Sequence, residues 1–352
     1  MEQIYNRFCF LAGRQDAKDA FGSWCSDDDY VDRRRFTLLH RIVLGLRSEN
    51  SQYQKDRSSV AEHLRQALEA SSASINAVDA GGETPLIWAV GRGDGKAVQT
   101  LLTYGADPNI AARHRSRPIH IAYTSLTCLE ALLSSKVEVD ARDAYNRTAR
   151  HTMAYSQTDT RFLQLLLGAG ADINARNKRG ITALSAAVRG HRSENVRFLL
   201  QHRADPNTLD GLGYTPLFDS IYRNNHQSLE FLFEFGADHT FWTSELGTVL
   251  HEAAWKGDIR TLQILTETRL AGIDIYLTDH DDRTALDKLY KRPDFTHELE
   301  LAFLALLDSI TEGDERITSV EDDDSHDSVE DKLGTDDFTD APENPSVDEQ
   351  GD

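Results

Sequence analysis

Four histidines, His40, His120, His151 and His251, are the side chains in this sequence with the chemistry for metal ligation or for proton transfer near neutral pH. The stretch Gly91-Arg-Gly-Asp-Gly-Lys96 sets closely spaced glycines before a lysine, as a phosphate-cradling loop would. It lacks the Gly-x-x-x-x-Gly-Lys-[Ser/Thr] spacing, and Ala97 stands where a hydroxyl should meet magnesium. The acidic clusters Asp27–Asp29 and Glu321–Asp324 could attract calcium, but neither follows the spacing of a calcium loop. A nucleophilic serine or cysteine on a strained Gly-x-Ser-x-Gly turn is missing, as is a pair of carboxylates in a fixed frame. Cys9, Cys25 and Cys128 are odd in number and widely spaced, which argues against a disulfide framework or a zinc site and fits a reducing compartment. The Arg92-Gly93-Asp94 triplet and the acceptor-like Asn146-Arg147-Thr148 both presuppose secretion. The apolar run from Phe8 to Ala12 is too short for a signal peptide and is broken by Gly13 and Arg14. No stretch approaches the roughly 18 apolar residues of a membrane span. These readings exclude an enzyme, a cofactor and a metal, and they predict a soluble intracellular protein.

The histidines have a simpler explanation, which is period. Gly82-Glu-Thr-Pro-Leu86 recurs as Gly180-Ile-Thr-Ala-Leu184, Tyr214-Thr-Pro-Leu217 and Gly247-Thr-Val-Leu-His251. Aligned anchors fall at Thr84, Arg117, Thr148, Thr182, Thr215, Thr248 and Thr284, so the spacing stays close to 33 residues. The anchor reappears at Thr37, 47 residues before Thr84, and each of the four histidines sits three residues after an anchor, where copies line up along a stack and hydrogen-bond locally. Proline after threonine suits a helix start, because its missing N–H is not needed in the first turn and the hydroxyl can cap free amides. A second pattern follows each anchor. Val98, Leu129, Leu163, Val196, Leu229 and Leu262 all have a leucine three residues on, which makes one helical face. Segments then close on Gly105-Ala-Asp-Pro-Asn109, Gly170-Ala-Asp-Ile-Asn174 or Gly236-Ala-Asp238, where glycine supplies the left-handed residue that ends a helix. Every unit reads helix, turn, helix, hairpin loop.

This pattern resembles the ankyrin-repeat family, over roughly Arg33 to Ile310, and the repeats are similar to short fungal ones. The resemblance implies an all-α ankyrin solenoid, in which each unit buries its apolar face only by stacking on its neighbours. Residues 1–32 form an N-terminal segment. It is rich in aromatics and either caps the first repeat or binds independently. A degenerate capping repeat at 33–78 holds an insertion near 48–58. Six repeats follow over 79–276 (about 79–111, 112–142, 143–176, 177–209, 210–242 and 243–276), then a C-terminal cap over 277–310. Departures from the family pattern, with Arg117 in place of threonine, a second repeat two residues short, and Lys136 and Arg203 where glycine is usual, imply local weakness or a bend. Residues 311–352 hold seventeen acidic side chains against two basic ones, most of the chain's net charge of −20. A segment so charged and so poor in aromatics is expected to be disordered.

In ankyrin-like proteins the hairpin tips and the residues seven and eight after each anchor line a concave face. Those positions here carry Arg92, Arg113, Arg147, Lys178, Arg179, Arg189, Arg223, Lys256 and Arg283 against Glu83, Glu245 and Asp281. Tyr155, Tyr222 and Trp255 place aromatics among the cations. Arginine, tyrosine and tryptophan dominate binding hot spots. The expected partner is a protein with an acidic, extended or helical segment, bound by a monomeric adaptor. The alternative is a nuclear transcription co-regulator that works through protein contacts. Direct DNA binding is not expected, because the chain is strongly negative overall and offers only Arg33-Arg34-Arg35 as a basic run at its N-terminal side. The tail could act as an activation segment or fold back to compete for the groove, and Ser319, Ser325 and Ser328 beside its carboxylates look like phosphorylation sites.

Overall fold

The computed structural model describes residues 33–45, 60–243, 245 and 247–321, the last ten by backbone alone. The expectations for residues 1–32, for the insertion near 48–58, and for Ser325, Ser328 and the rest of 322–352 lie outside the described residues.

Each first helix starts at its anchor. The Thr84, Thr182 and Thr215 hydroxyls accept from Ile87, Ser185 and Phe218 N–H at 3.3 Å each, and Pro85, Pro118 and Pro216 open their helices. The first helices are α1 (Leu38–Leu44), α3 (Pro85–Gly91), α5 (Pro118–Ile121), α7 (Ala149–Ser156), α9 (Ala183–Arg189), α11 (Pro216–Tyr222), α13 (Val249–Lys256) and α15 (Ala285–Lys291). Their antiparallel partners are α2 (Val60–Ala70), α4 (Gly95–Thr103), α6 (Leu126–Leu133), α8 (Arg161–Gly168), α10 (Ser193–Gln201), α12 (His226–Glu234), α14 (Ile259–Thr268) and α16 (His297–Glu321). First helices pack on first helices, and second on second. The result is a two-layered, all-α ankyrin solenoid.

The core is the leucine stripe. Val98, Leu101, Leu129, Leu132, Leu163, Leu166, Val196, Leu199, Leu229, Leu232, Leu262 and Leu265 are all buried, each contributing about 2 kcal/mol of transfer free energy. Where the second repeat is two residues short, α5 has four residues and the chain goes on as a 3-10 turn over Ala122–Thr124. Arg117 cannot cap as threonine does; its guanidinium pairs with Glu138 instead. Of the two residues in glycine's place, Arg203 takes the left-handed conformation at φ 66°, which is unfavourable by roughly 1–2 kcal/mol for a residue with a Cβ. At the C-terminus α16 runs on to Glu321, so the tail boundary expected at 310 falls inside a helix, and Ser319 belongs to its last turns. Among the described side chains of α16, Leu299, Phe303, Leu306 and Ile310 are buried.

One core position breaks the pattern. Two residues after their anchors, Leu39, Leu86, Ile119, Leu184, Leu217 and Leu250 are at most 1% exposed, and the third repeat places Arg150 there at 2%. Its Nη2 donates to the Ala171 carbonyl at 2.7 Å, while Nη1 has no partner. A buried guanidinium with an unsatisfied donor is destabilising relative to a leucine of similar size. Arg150→Leu is expected to stabilise the chain by about 1–3 kcal/mol, read as a higher urea midpoint. A lower midpoint would show that the guanidinium is needed there.

Candidate functional site

The concave face is held in register by contacts that recur with the repeat. At His40, His120, His151 and His251 the anchor's backbone N–H donates to Nδ1 at 3.0–3.2 Å. Nδ1 is thus an acceptor and Nε2 carries the proton. Nε2–H donates to a carbonyl of the next repeat, Glu83, Arg147, Ile181 and Arg283 respectively, at 2.9–3.1 Å, and His120 also reaches the Ala141 carbonyl of its own repeat at 2.9 Å. Burial pushes all four imidazoles below their usual value, His151 to about 4. A second device stands five residues before five of the anchors, Thr84, Thr148, Thr182, Thr215 and Thr284. The Oδ1 atoms of Asp79, Asp143, Asn177, Asp210 and Asp279 each accept two backbone N–H groups of their hairpin, at 2.8–3.2 Å. The histidines are therefore structural.

Between the hairpin tips and the first helices of the second to fifth repeats lies a groove of about 1050 Å³. Its lining includes Ile121, Thr152 and Ala186, each four residues after its anchor, with Phe162 beside them. Arg113, Arg147, Arg179, Arg189, Arg192 and Arg223 face Asp143 and Asp159 around the rim. Gly190 lets the backbone after α9 approach Tyr155, since a Cβ there would collide with the Tyr155 carbonyl. Arg192 Nε donates to that carbonyl at 3.1 Å.

Of the residues expected at the site, Arg113, Arg147, Tyr155, Arg179, Arg189 and Arg223 share this groove. Tyr222, Trp255 and Lys256 form a separate platform beside it, with the Lys256 ammonium 5.5 Å from the Tyr222 ring and 5.7 Å from Trp255, and Arg223 5.9 Å from Tyr222. Arg92 caps α3 and reaches back to the Leu44 carbonyl at 2.8 Å, away from the groove. Lys178 is exposed on a hairpin. Two cations are less available than their positions suggest. Arg189 is clamped between Asp210 at 2.7 Å and Asp219 at 2.6 Å, and Arg147 pairs with Asp143 at 2.7 Å. Arg113 and Arg179 are exposed and have no ionic partner among the described residues. The acidic Glu83 is buried against Arg34, and Asp281 pairs with Arg283.

The sequence reading missed Arg192, which is ten residues after its anchor and outside the hairpin tips and the seventh and eighth positions, and Tyr145, a hairpin-tip aromatic 5.1 Å from the Arg147 guanidinium. It also missed Glu252, whose carboxyl burial pushes up to about 7 against the pull of Lys288 and Lys256.

A family model described as ankyrin repeats (3 copies) matches residues 54–143 and 150–243, more than half of the chain. The chain belongs to the ankyrin-repeat family. This ankyrin-repeat chain is 36% identical over 129 residues to the mouse B-cell lymphoma 3 protein homolog, covering 35% of the chain and 29% of that protein. It is 26% identical over 173 residues to a zebrafish protein named putative palmitoyltransferase ZDHHC13, covering 48% and 25%. The chain thus spans between a quarter and a third of these relatives. The crystal structure of the Bcl-3 ankyrin repeat domain, titled a unique member of the IkappaB protein family, superposes with a TM-score of 0.54 at 28% identity, over 66% of this chain and 99% of that one. Among the described residues no helix is long and apolar enough to cross a membrane.

The histidine linkage has a defined sign. His151 is depressed to about 4 from 6.5, so its stabilisation is complete above pH 6.5 and is lost as pH falls from there toward 4. Between pH 7.5 and 4.5, His151→Gln is expected to lose roughly 2–3 kcal/mol less stability than the parent by urea unfolding. Parallel losses would mean that His151 stays uncharged or that its imidazole is not held.

Proposed function

We propose that this chain is a non-enzymatic adaptor whose groove, in the second to fifth repeats, holds an acidic, extended or helical segment of a protein partner. The observation that carries this reading is the arginine rim over a lining of small and apolar side chains, Ile121, Thr152 and Ala186. An acidic strand laid along it would meet Arg113 and Arg179, whose guanidinium groups no carboxylate of the described chain neutralises. Arginine recognises carboxylates in bidentate geometry, and Tyr155, half exposed in the same groove, offers a rigid aromatic surface. The Tyr222–Lys256–Trp255 platform would extend contact toward the C-terminal repeats. Arg189 acts here by shaping the groove.

A second reading, a nuclear co-regulator working through protein contacts, is favoured by one likeness. The chain is 38% identical over 71 residues, 20% of its length, to a human relative named DNA-binding protein RFXANK, and covers 26% of that relative. The two readings share a binding surface and differ in where the partner resides.

The test is affinity capture by the tagged full-length chain at about 150 mM salt, alongside an Arg113→Glu, Arg179→Glu, Tyr155→Ala variant of unchanged thermal unfolding. Partners retained by the parent are expected to fall at least about 10-fold with the variant, and their nuclear or cytoplasmic origin separates the two readings. An identical captured set would refute the groove.

A further inference from the structure

We infer that the groove has an occupant within the chain itself: the acidic segment 330–343, seated through Phe338. This rests on the reading that the groove takes acidic segments. Residues 322–352 lie outside the described structure and hold thirteen carboxylates against one lysine, Lys332. Phe338 is the one aromatic residue of 311–352, and Asp336, Asp337 and Asp340 flank it. That composition matches the groove in both its parts. The apolar lining of Ile121, Ala186 and Phe162 accepts a ring, while Arg113, Arg179 and Arg192 accept the flanking carboxylates.

The geometry permits the contact. From Glu321, where α16 ends, Phe338 is seventeen residues away, a reach of up to about 55–60 Å in extended chain. Second helices pack in sequence, α16 on α14 on α12 on α10. At about 8–10 Å per step, the centre of the groove is roughly 30–40 Å along the stack from α16. The segment 330–343, about 45 Å when extended, is long enough to run the length of four repeats. Tethering raises its effective concentration to the order of 1 mM, so an affinity of only about 100 μM would keep the groove about ten-to-one occupied. An external partner must then displace the tail, and phosphorylation at Ser325 or Ser328 would change that competition through charge.

The experiment measures binding of a fluorescently labelled synthetic peptide of residues 330–343 to two full-length proteins, the parent chain and the variant Asp336→Asn, Asp337→Asn, Phe338→Ala, Asp340→Asn. The substitutions lie outside the described fold, and thermal unfolding checks that it is unchanged. The variant, its groove vacated, is expected to bind the peptide at least about 10-fold more tightly than the parent, and adding Arg179→Glu should abolish the gain. Equal affinities, no binding to either protein, or a gain that survives Arg179→Glu would each overturn the inference. A parent-to-variant ratio that grows with protein concentration would assign the tail to a second copy and overturn the intramolecular contact. Failure here leaves the groove's role in partner capture standing, because capture is read separately.

Discussion

A solenoid has no long-range contacts to fall back on, so its shape depends on what passes from one repeat to the next. Here the buried hydrogen bond from a neutral histidine Nε2 to the next repeat's carbonyl sets the concave face. The same ring's Nδ1 takes the anchor's N–H, so one side chain fixes the start of its own helix and the position of the following hairpin. The units anchored at Thr84, Thr182 and Thr215 cap through the threonine hydroxyl, Thr284 shares a reciprocal cap with Asp287, and the aspartate or asparagine at five hairpin bases holds the loop from below. Leucine burial supplies most of the stabilisation, but leucines slide; directional bonds hold the register.

The hairpin aspartates also govern the charge of the groove. Oδ1 is committed to backbone amides, which leaves Oδ2 to meet whichever cation stands near: Arg147 for Asp143, Arg189 for Asp210, Lys288 for Asp279. The same residues that stiffen the tips therefore neutralise part of the basic face. What remains outward is a narrower set than a count of arginines gives, centred on Arg113 and Arg179. Specificity in such a groove comes from which cations stay unpaired as much as from how many there are.

Much of this was legible in the sequence, because anything written once per repeat is written many times. The anchor threonines and the leucine stripe follow the period, and the structure places them as that period requires. What escaped depends on pairing across repeats. Nothing in the spacing of Arg189 reveals that Asp210 and Asp219, from the next unit, close around it. Arg150 sits in a leucine slot that the alignment of anchors marks as core, yet an arginine there reads as surface. The hairpin aspartates were visible at a fixed offset and passed unnoticed, since their partners are backbone amides. Helix α16 runs past 310, where the acidic composition of 311–352 set the expected start of the tail.

The central claim is that side-chain staples hold the hairpin tips as rigidly as the helices, so that the groove exists before any partner arrives. Native-state hydrogen exchange tests it directly on the amides of Tyr145, Arg147, Leu212 and Tyr214, which Asp143 and Asp210 accept. The account predicts protection within about 1 kcal/mol of that in α7 and α11. Exchange at those four amides as fast as in an unstructured chain, with α7 and α11 still protected, would contradict it.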